Sequence, residues 1–390
     1  MKKAKIFFIL GTRPEAIKLA PLILAFLQKE EFEIKLINTG QHREMSTAFL
    51  RNFGLAPHYD LQVMVEKQSL HYLTSRIVEE LEQVFREQRP DFVFVQGDTT
   101  TALCGALSAF YFRIPLGHVE AGLRTWEKWR PFPEEMNRVL ISRLADFHFA
   151  PTFLAKRNLL REGINESQIL LTGNTIVDAL LLILNDGRPL SHPVLKKEFE
   201  RVDGSYRFVT VTAHRRENWG EGMRSIAFGV KIIAETCPDV KVFFSLHPNP
   251  LVRETVMREL TSTPRVVLLD HLEYPDFVQL LSRSVLVVTD SGGVQEEAAS
   301  LGIPVLITRE STERPEVVES GLGTLVGCHA ERIAQEALAI LGTRSRLRQR
   351  KNLFGDGKAS WRILQFVSRF FGFPYEDIQE FCSLTQGMRL

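Results

Sequence analysis

No stretch of about 18 consecutive apolar residues occurs in this 390-residue chain, which argues against a membrane-spanning helix. The N-terminal Met1-Lys2-Lys3-Ala4-Lys5 runs into an apolar segment of only about six residues and lacks a small-residue cleavage site, so it reads as a first strand, not a secretory leader. Charge of one sign is missing as well. Lys and Arg number 48 and Asp and Glu 47, so a net charge of +1 gives no global field for nucleic acid or an acidic membrane, and an anionic ligand would need a local site. The four cysteines, Cys104, Cys237, Cys328 and Cys382, form no CxxC pair; reduced thiols in a cytoplasm fit better than disulfides or a zinc knuckle.

Several catalytic signatures are missing too. Gly355-Asp356-Gly357-Lys358-Ala359-Ser360 lacks the Walker spacing, and Gly220-Glu221-Gly222 has Ser225 where a dinucleotide fingerprint needs glycine, so neither ATP nor NAD is expected. No HExxH pairing, serine nucleophile elbow or activated cysteine motif is present, and neither metal nor cofactor is expected.

What is present is a rhythm. Short apolar runs end in Gly, Asp, His or Thr, with helix-length segments between them. In the first half these are Lys5–Leu10, Glu33–Asn38, Phe92–Val95, Leu116–Val119 and Asp146–Ala150. In the second they are Phe208–Thr212, Val240–Leu246, Arg265–Leu269, Val285–Thr289 and Pro304–Ile307. Runs apolar on both faces, alternating with helices such as Ala16–Gln28, Leu70–Glu87 and Thr101–Phe112, predict α/β architecture with doubly wound parallel sheets. The length suits two domains, expected at 1–175 and 176–360, with the Gly- and Pro-bearing stretch Asn185–Gly204 as the connection. A helix near Asp356–Phe371 has room to cross back, so that about 361–390 rejoins the first half.

Ligands of such sheets bind outside the carboxyl ends of the strands. Polar residues collect there: Arg13, Asp98, Glu120, His214, His247, Ser291 and Arg309. Two sheets with facing strand ends would make one deep cleft. Asp290-Ser291-Gly292-Gly293-Val294-Gln295-Glu296-Glu297 follows a strand and opens a helix; its glycines and helix N-terminus suit a diphosphate, and Glu296 or Glu297 suits a ribose diol. The plainer reading is a glycine turn with Ser291 as N-cap. Arg13 and Lys18, at a second strand–turn–helix start, would face the cleft mouth as phosphate cations, or else be solvated surface.

Asp98 and Glu120 end successive strands, and Glu134 follows in Pro131-Phe132-Pro133-Glu134, where Pro133 could open a helix. Converging carboxylates would repel, raising at least one pKa and separating an acid from a base. Taken singly, Asp98 and Glu120 could cap turns and Glu134 could pair with Arg138; with His214 nearby, the set favours chemistry.

Nine or more motifs, in order from about residue 5 to residue 360, resemble the non-hydrolysing UDP-N-acetylglucosamine 2-epimerase family. They include Gly11-Thr12-Arg13-Pro14-Glu15, Gln96-Gly97-Asp98-Thr99-Thr100, His118-Val119-Glu120-Ala121-Gly122 and Pro131-Phe132-Pro133-Glu134-Glu135. His214-Arg215-Arg216-Glu217-Asn218, the Asp290–Glu297 turn and Thr312-Glu313-Arg314-Pro315-Glu316 follow in the second half. The resemblance implies a GT-B-like fold of two Rossmann-like domains with a cleft between them, and interconversion of UDP-GlcNAc and UDP-ManNAc without nicotinamide or metal. By motif, Asp98, Glu120 and Glu134 match the acid/base carboxylates, and His214 a catalytic or UDP-contacting histidine. Arg13, Lys18, Ser291, Gly292, Gly293, Glu297 and Arg314 match UDP-binding positions, with Phe277 beside the uracil.

Some members bind a second UDP-GlcNAc as activator; Gln41, His42, Gln68, Arg215 and His247 match that site. The chain departs from activated members at Glu44 and Lys67, where they carry Gln and Arg, and Asn352-Leu353-Phe354-Gly355-Asp356-Gly357 departs from the usual Asn-Pro-Tyr-Gly-Asp-Gly. A cytoplasmic homodimer serving polysaccharide synthesis is the family expectation. The competing readings are a hydrolysing epimerase, a UDP-diacetamido-uronic acid epimerase, a glycosyltransferase and a non-catalytic UDP-sugar sensor.

Overall fold

The structure, a computed structural model, describes residues 3–41, 49–65, 68–200, 206–270, 272–343 and 352–382. The chain divides into two compact units, residues 1–182 with 354–390, and residues 183–353. Each is built on one wholly parallel sheet.

The first sheet contains β1 (Ala4–Leu10), β2 (Phe32–Asn38), β3 (Tyr59–Asp60), β4 (Phe92–Gln96), β5 (Leu116–Val119), β6 (Phe147–Ala150) and β7 (Ile169–Leu171), in the order β3-β2-β1-β4-β5-β6-β7. The second contains β8 (Arg207–Thr212), β9 (Val240–Ser245), β10 (Val266–Leu269), β11 (Ser284–Thr289), β12 (Val305–Ile307) and β13 (Gly323–Leu325), in the order β10-β9-β8-β11-β12-β13. In both, the strand order reverses beside the first strand. The switch points therefore lie between β1 and β4 and between β8 and β11, where a crevice opens at the strand ends.

The expected doubly wound α/β architecture is found in both units. The ten anticipated strands are present within a residue or two. The three not anticipated, β3, β7 and β13, are edge strands of two or three residues, too short to leave a periodic signal. The stretch read as a connection contains helix Pro193–Glu200, whose Leu195 is buried and whose N-terminus is held by Asp276 through the amides of Ser191 and His192.

Packing explains why the chain's last helix belongs with the first unit. Phe8, Phe94 and Phe149 line one face of the first sheet, Phe26 covers them from helix Arg13–Leu27, and Phe366 of helix Ala359–Phe370 packs edge-on against Phe149 at 5.5 Å. Phe370 meets Phe147 at 5.2 Å. Each fully buried ring contributes about 1.5–3 kcal/mol. Gly117, in the middle of β5, makes room for this layer: a Cβ there would lie 2.9 Å from the rings of both Phe92 and Phe149.

Candidate active site

At the first switch point the turn after β1 is organised by Glu15. Thr12 is the N-cap of helix Arg13–Leu27, and Glu15 completes a capping box. Its Oε2 accepts from the amides of Gly11 (2.9 Å) and Thr12 (2.8 Å) and from the Thr12 hydroxyl, while Oε1 accepts from Thr99 Oγ1 at 2.5 Å. Burial pushes the Glu15 carboxyl up to about 7, against the pull of these four hydrogen bonds. The turns after β1 and β4, which carry Arg13 and Asp98, are thus tied together by one buried carboxyl group.

Arg13 lies over the Phe49 ring, 4.6 Å from its centroid. Five residues along a helix is a rotation of about 140°, which takes Lys18 to another face. There its ammonium is buried in an ion pair with Glu120, the two residues being 5% and 8% exposed. Asn174 Nδ2 donates to the same Glu120 oxygen at 3.0 Å. Glu120 holds φ +64°, a conformation costing a non-glycine residue about 1–3 kcal/mol unless its surroundings impose it.

Asp98 follows β4 and is gripped by Arg138, which donates through Nε at 2.8 Å and lies 2.6 Å away through Nη2. Arg138 also donates to Glu135 at 2.9 Å, and Asn137 Nδ2 donates to the Asp98 carbonyl at 2.8 Å. Glu134 opens helix Glu134–Leu144 behind Pro133, one turn before Arg138. Two of the three carboxylates are thus paired with a cation, Asp98 with Arg138 and Glu120 with Lys18. The helix-capping bond beside Asp98 is made by Thr99, which accepts from the Ala102 amide.

In the second unit, Ser291 is the N-cap of helix Gly292–Ser300 but makes no side-chain cap bond. Its amide donates to Thr289 Oγ1 at 3.0 Å, so the amides at the helix start that lack intrahelical acceptors are those of Gly292, Gly293 and Val294. Arg314 lies against this start. A Cβ on Gly292 would be 2.4 Å from its Nη1, whereas one on Gly293 would meet nothing within 4 Å.

Glu296 accepts from Arg314 Nε at 2.9 Å, and Glu313 bridges Arg309 (2.8 Å) and Arg314 (3.5 Å). Burial alone would push the Glu313 carboxyl up, but Arg314 and Arg309 hold it at about 2. Glu297 accepts from the Tyr274 hydroxyl at 2.8 Å, and Phe277 is buried on the same helix as Tyr274. His214 is half-buried, stacked on His247 with centroids 5.8 Å apart.

The other expected residues are placed as follows. Gln41 Oε1 accepts from the amide and hydroxyl of Thr101, satisfying an early amide of helix Thr100–Tyr111. Gln68 accepts from the Val65 amide, and Arg215 follows His214 at the end of β8. His42, with Glu44 and Lys67, lies outside the described residues. Sequence reading gave no role to Glu15, Asn174, Asp290 or Glu313. Only Glu15 left a local signal, the Thr12-x-x-Glu15 spacing. Among the described residues, no group of three or more His, Cys, Asp or Glu is placed to hold a metal, and no helix is long and apolar enough to cross a membrane.

The profile of the UDP-N-acetylglucosamine 2-epimerase family matches residues 25–368. The UDP-N-acetylglucosamine 2-epimerase of Bacillus subtilis is 44% identical over 384 residues, covering 98% of this chain and 99% of that protein. Among solved structures, the Neisseria meningitidis UDP-GlcNAc 2-epimerase bound to UDP-GlcNAc is 40% identical with a TM-score of 0.87, over 94% of this chain and all of that one. The Methanocaldococcus jannaschii UDP-GlcNAc 2-epimerase in complex with UDP-GlcNAc and UDP is 37% identical with a TM-score of 0.81, over 94% and 99%.

Proposed function

The chain belongs to the UDP-N-acetylglucosamine 2-epimerase family, and from that premise we propose that it interconverts UDP-GlcNAc and UDP-ManNAc by eliminating UDP and adding it back. It is an isomerase by family; the hydrolysing alternative is not favoured. The carrying observation is that the likeness to a named epimerase spans 98% of the chain and so takes in all the strand-end motifs.

The chemical problem is the proton on carbon 2, which has no carbonyl beside it to make it acidic. Departure of UDP solves this. As the bond from carbon 1 to the diphosphate oxygen breaks, the developing oxocarbenium acidifies the neighbouring proton. Arg13, Arg314 and the amides of Gly292, Gly293 and Val294 stabilise the charge growing on the diphosphate. Ser291, its amide already used, contributes at most its hydroxyl. Glu297 takes the ribose diol, and Phe277 the uracil side. A carboxylate removes the carbon 2 proton, a carbon 1–carbon 2 double bond forms, and UDP leaves with its electron pair. Protonation from the opposite face and return of UDP give the epimer.

Two faces need two proton-handling groups. Asp98, Glu120, Glu134 and His214 supply them, with Lys18 paired to Glu120 beside its part in holding UDP. The same reading places the protein in a cytoplasm as a homodimer, supplying ManNAc units for surface polysaccharide. A second UDP-GlcNAc at Gln41, His42, Gln68, Arg215 and His247 activates it.

Anomeric-proton NMR of the purified protein with UDP-GlcNAc alone tests the reading. UDP-ManNAc should accumulate to a constant ratio. Free ManNAc would mean hydrolysis, and no change until an acceptor is added would mean glycosyl transfer; either refutes it.

A further inference from the structure

One buried carboxylate at the strand ends of the second unit has no part in the scheme above. Asp290 directly follows β11 and is fully buried. Its Oδ2 accepts from the amides of His214 (2.9 Å) and Arg215 (2.8 Å) and from Asn218 Nδ2 (2.9 Å). The Asn218 amide is fixed in turn: Nδ2 also donates to the Thr308 carbonyl, and Oδ1 accepts from Cys328 Sγ at 3.1 Å. With three donors on one oxygen, the Asp290 carboxylate cannot rotate without losing them. Its other oxygen, Oδ1, is buried without a hydrogen bond in this structure and stands 3.3 Å from Nδ1 of His214. The ring is confined further by stacking on His247, and its backbone carbonyl accepts from Trp219 Nε1 at 3.1 Å.

We propose that Asp290 is a positioning residue for His214. Its Oδ1 accepts from Nδ1–H, which selects that tautomer and leaves the Nε2 lone pair to face the substrate. A fully buried carboxylate is costly unless it is satisfied, and here the donors that satisfy one oxygen aim the other at the imidazole. Asp290 also starts the Ser291–Gly292–Gly293 turn, so histidine and turn share one anchor. The proposal rests on the epimerase reading, which gives His214 its part in the reaction.

Asp290→Asn isolates the effect. The amide oxygen takes the three donors, and its NH2 then faces Nδ1 and donates to it, forcing the Nε2–H tautomer. The same change behind the histidine of a serine-protease triad costs about 10⁴-fold in kcat with geometry intact. Here kcat should fall at least about tenfold while UDP affinity stays within about twofold, the pattern of a group acting through the reacting complex.

Three measurements decide it. Nitrogen-15 NMR of the parent should show His214 protonated at Nδ1; protonation at Nε2 at neutral pH overturns the proposal without any variant. In a His214→Gln background, Asp290→Asn should cause no further loss of kcat, whereas an equal fold-loss in both backgrounds would make Asp290 merely structural. Unchanged turnover in His214→Gln itself would also overturn the proposal, yet leave the epimerase reading standing if the product remains UDP-ManNAc.

Discussion

The two glycines of the Ser291–Gly292–Gly293 turn should respond to alanine in opposite ways, because only one is crowded by the protein. A Cβ on Gly292 would sit 2.4 Å from Nη1 and 2.6 Å from Cζ of Arg314. Reaching ordinary contact needs a shift of about 1 Å in that guanidinium, which breaks its 2.9 Å bond to Glu296. A buried charge-assisted hydrogen bond is worth about 1.5–3 kcal/mol, and a 1 Å misplacement of a charge-stabilising group costs roughly 100-fold in rate. Gly292→Ala should therefore lower both Tm and kcat.

A Cβ on Gly293 would meet nothing within 4 Å, and its φ is not positive. Alanine there should leave Tm unchanged or raise it, since alanine exceeds glycine in helix propensity by up to about 1 kcal/mol. If the diphosphate lies on the helix-start amides, however, the new methyl stands in its approach. The loss of one such hydrogen bond weakens UDP binding by about 10- to 100-fold. Calorimetric titration with UDP, beside thermal unfolding of both variants, reads the outcome. Parental UDP affinity in a well-folded Gly293→Ala protein would refute the placing of the diphosphate on this turn.

Further outcomes follow from other groups. Asp98→Asn should cut turnover far more than UDP affinity; equal losses in steady-state kinetics and titration would make Asp98 a binding residue only. Gln41→Ala should abolish any upward curvature of rate against UDP-GlcNAc and, because Gln41 also holds Thr101, lower stability by about 1 kcal/mol; hyperbolic kinetics in the parent would dispose of activation. Burial holds His148 near 4, and neither ring nitrogen has a hydrogen-bond partner. The unfolded chain thus takes up the extra proton, and the stability this residue contributes is lost as pH falls from about 6.5 to 4. His148→Phe should move the acid-unfolding midpoint to lower pH. Glu15 has the opposite sign: raised from 4.5 to about 7, its carboxyl holds a proton more tightly in the folded state, so stability falls as pH rises through that window. Glu15→Gln should flatten this decline in urea titrations run at successive pH values.

The central strands were legible because burial on both faces leaves continuous apolar runs, as in Phe92–Val95 and Val285–Thr289. Residues at their ends, from Arg13 to Ser291, could be placed at the switch points by topology alone. Pairing between distant side chains was not legible. Lys18 meets Glu120 across 102 residues and His214 meets Asp290 across 76, and nothing in local spacing encodes either contact. Proximity of Lys18 to Arg13 in sequence conceals their separation around the helix, and with it the ion pair to Glu120. Glu15 was overlooked although its capping-box spacing was readable, since the box also describes an ordinary helix start. Its bond to Thr99 on the neighbouring strand end is what makes it more than that.

Carbon 2 itself gives the most direct measurement. The reaction should be run on UDP-GlcNAc in deuterated water and the product followed by proton NMR and mass spectrometry. The account predicts UDP-ManNAc with one deuterium at carbon 2 and no free sugar. UDP-ManNAc retaining its original proton there would contradict the removal of that proton by a solvent-exchanging carboxylate.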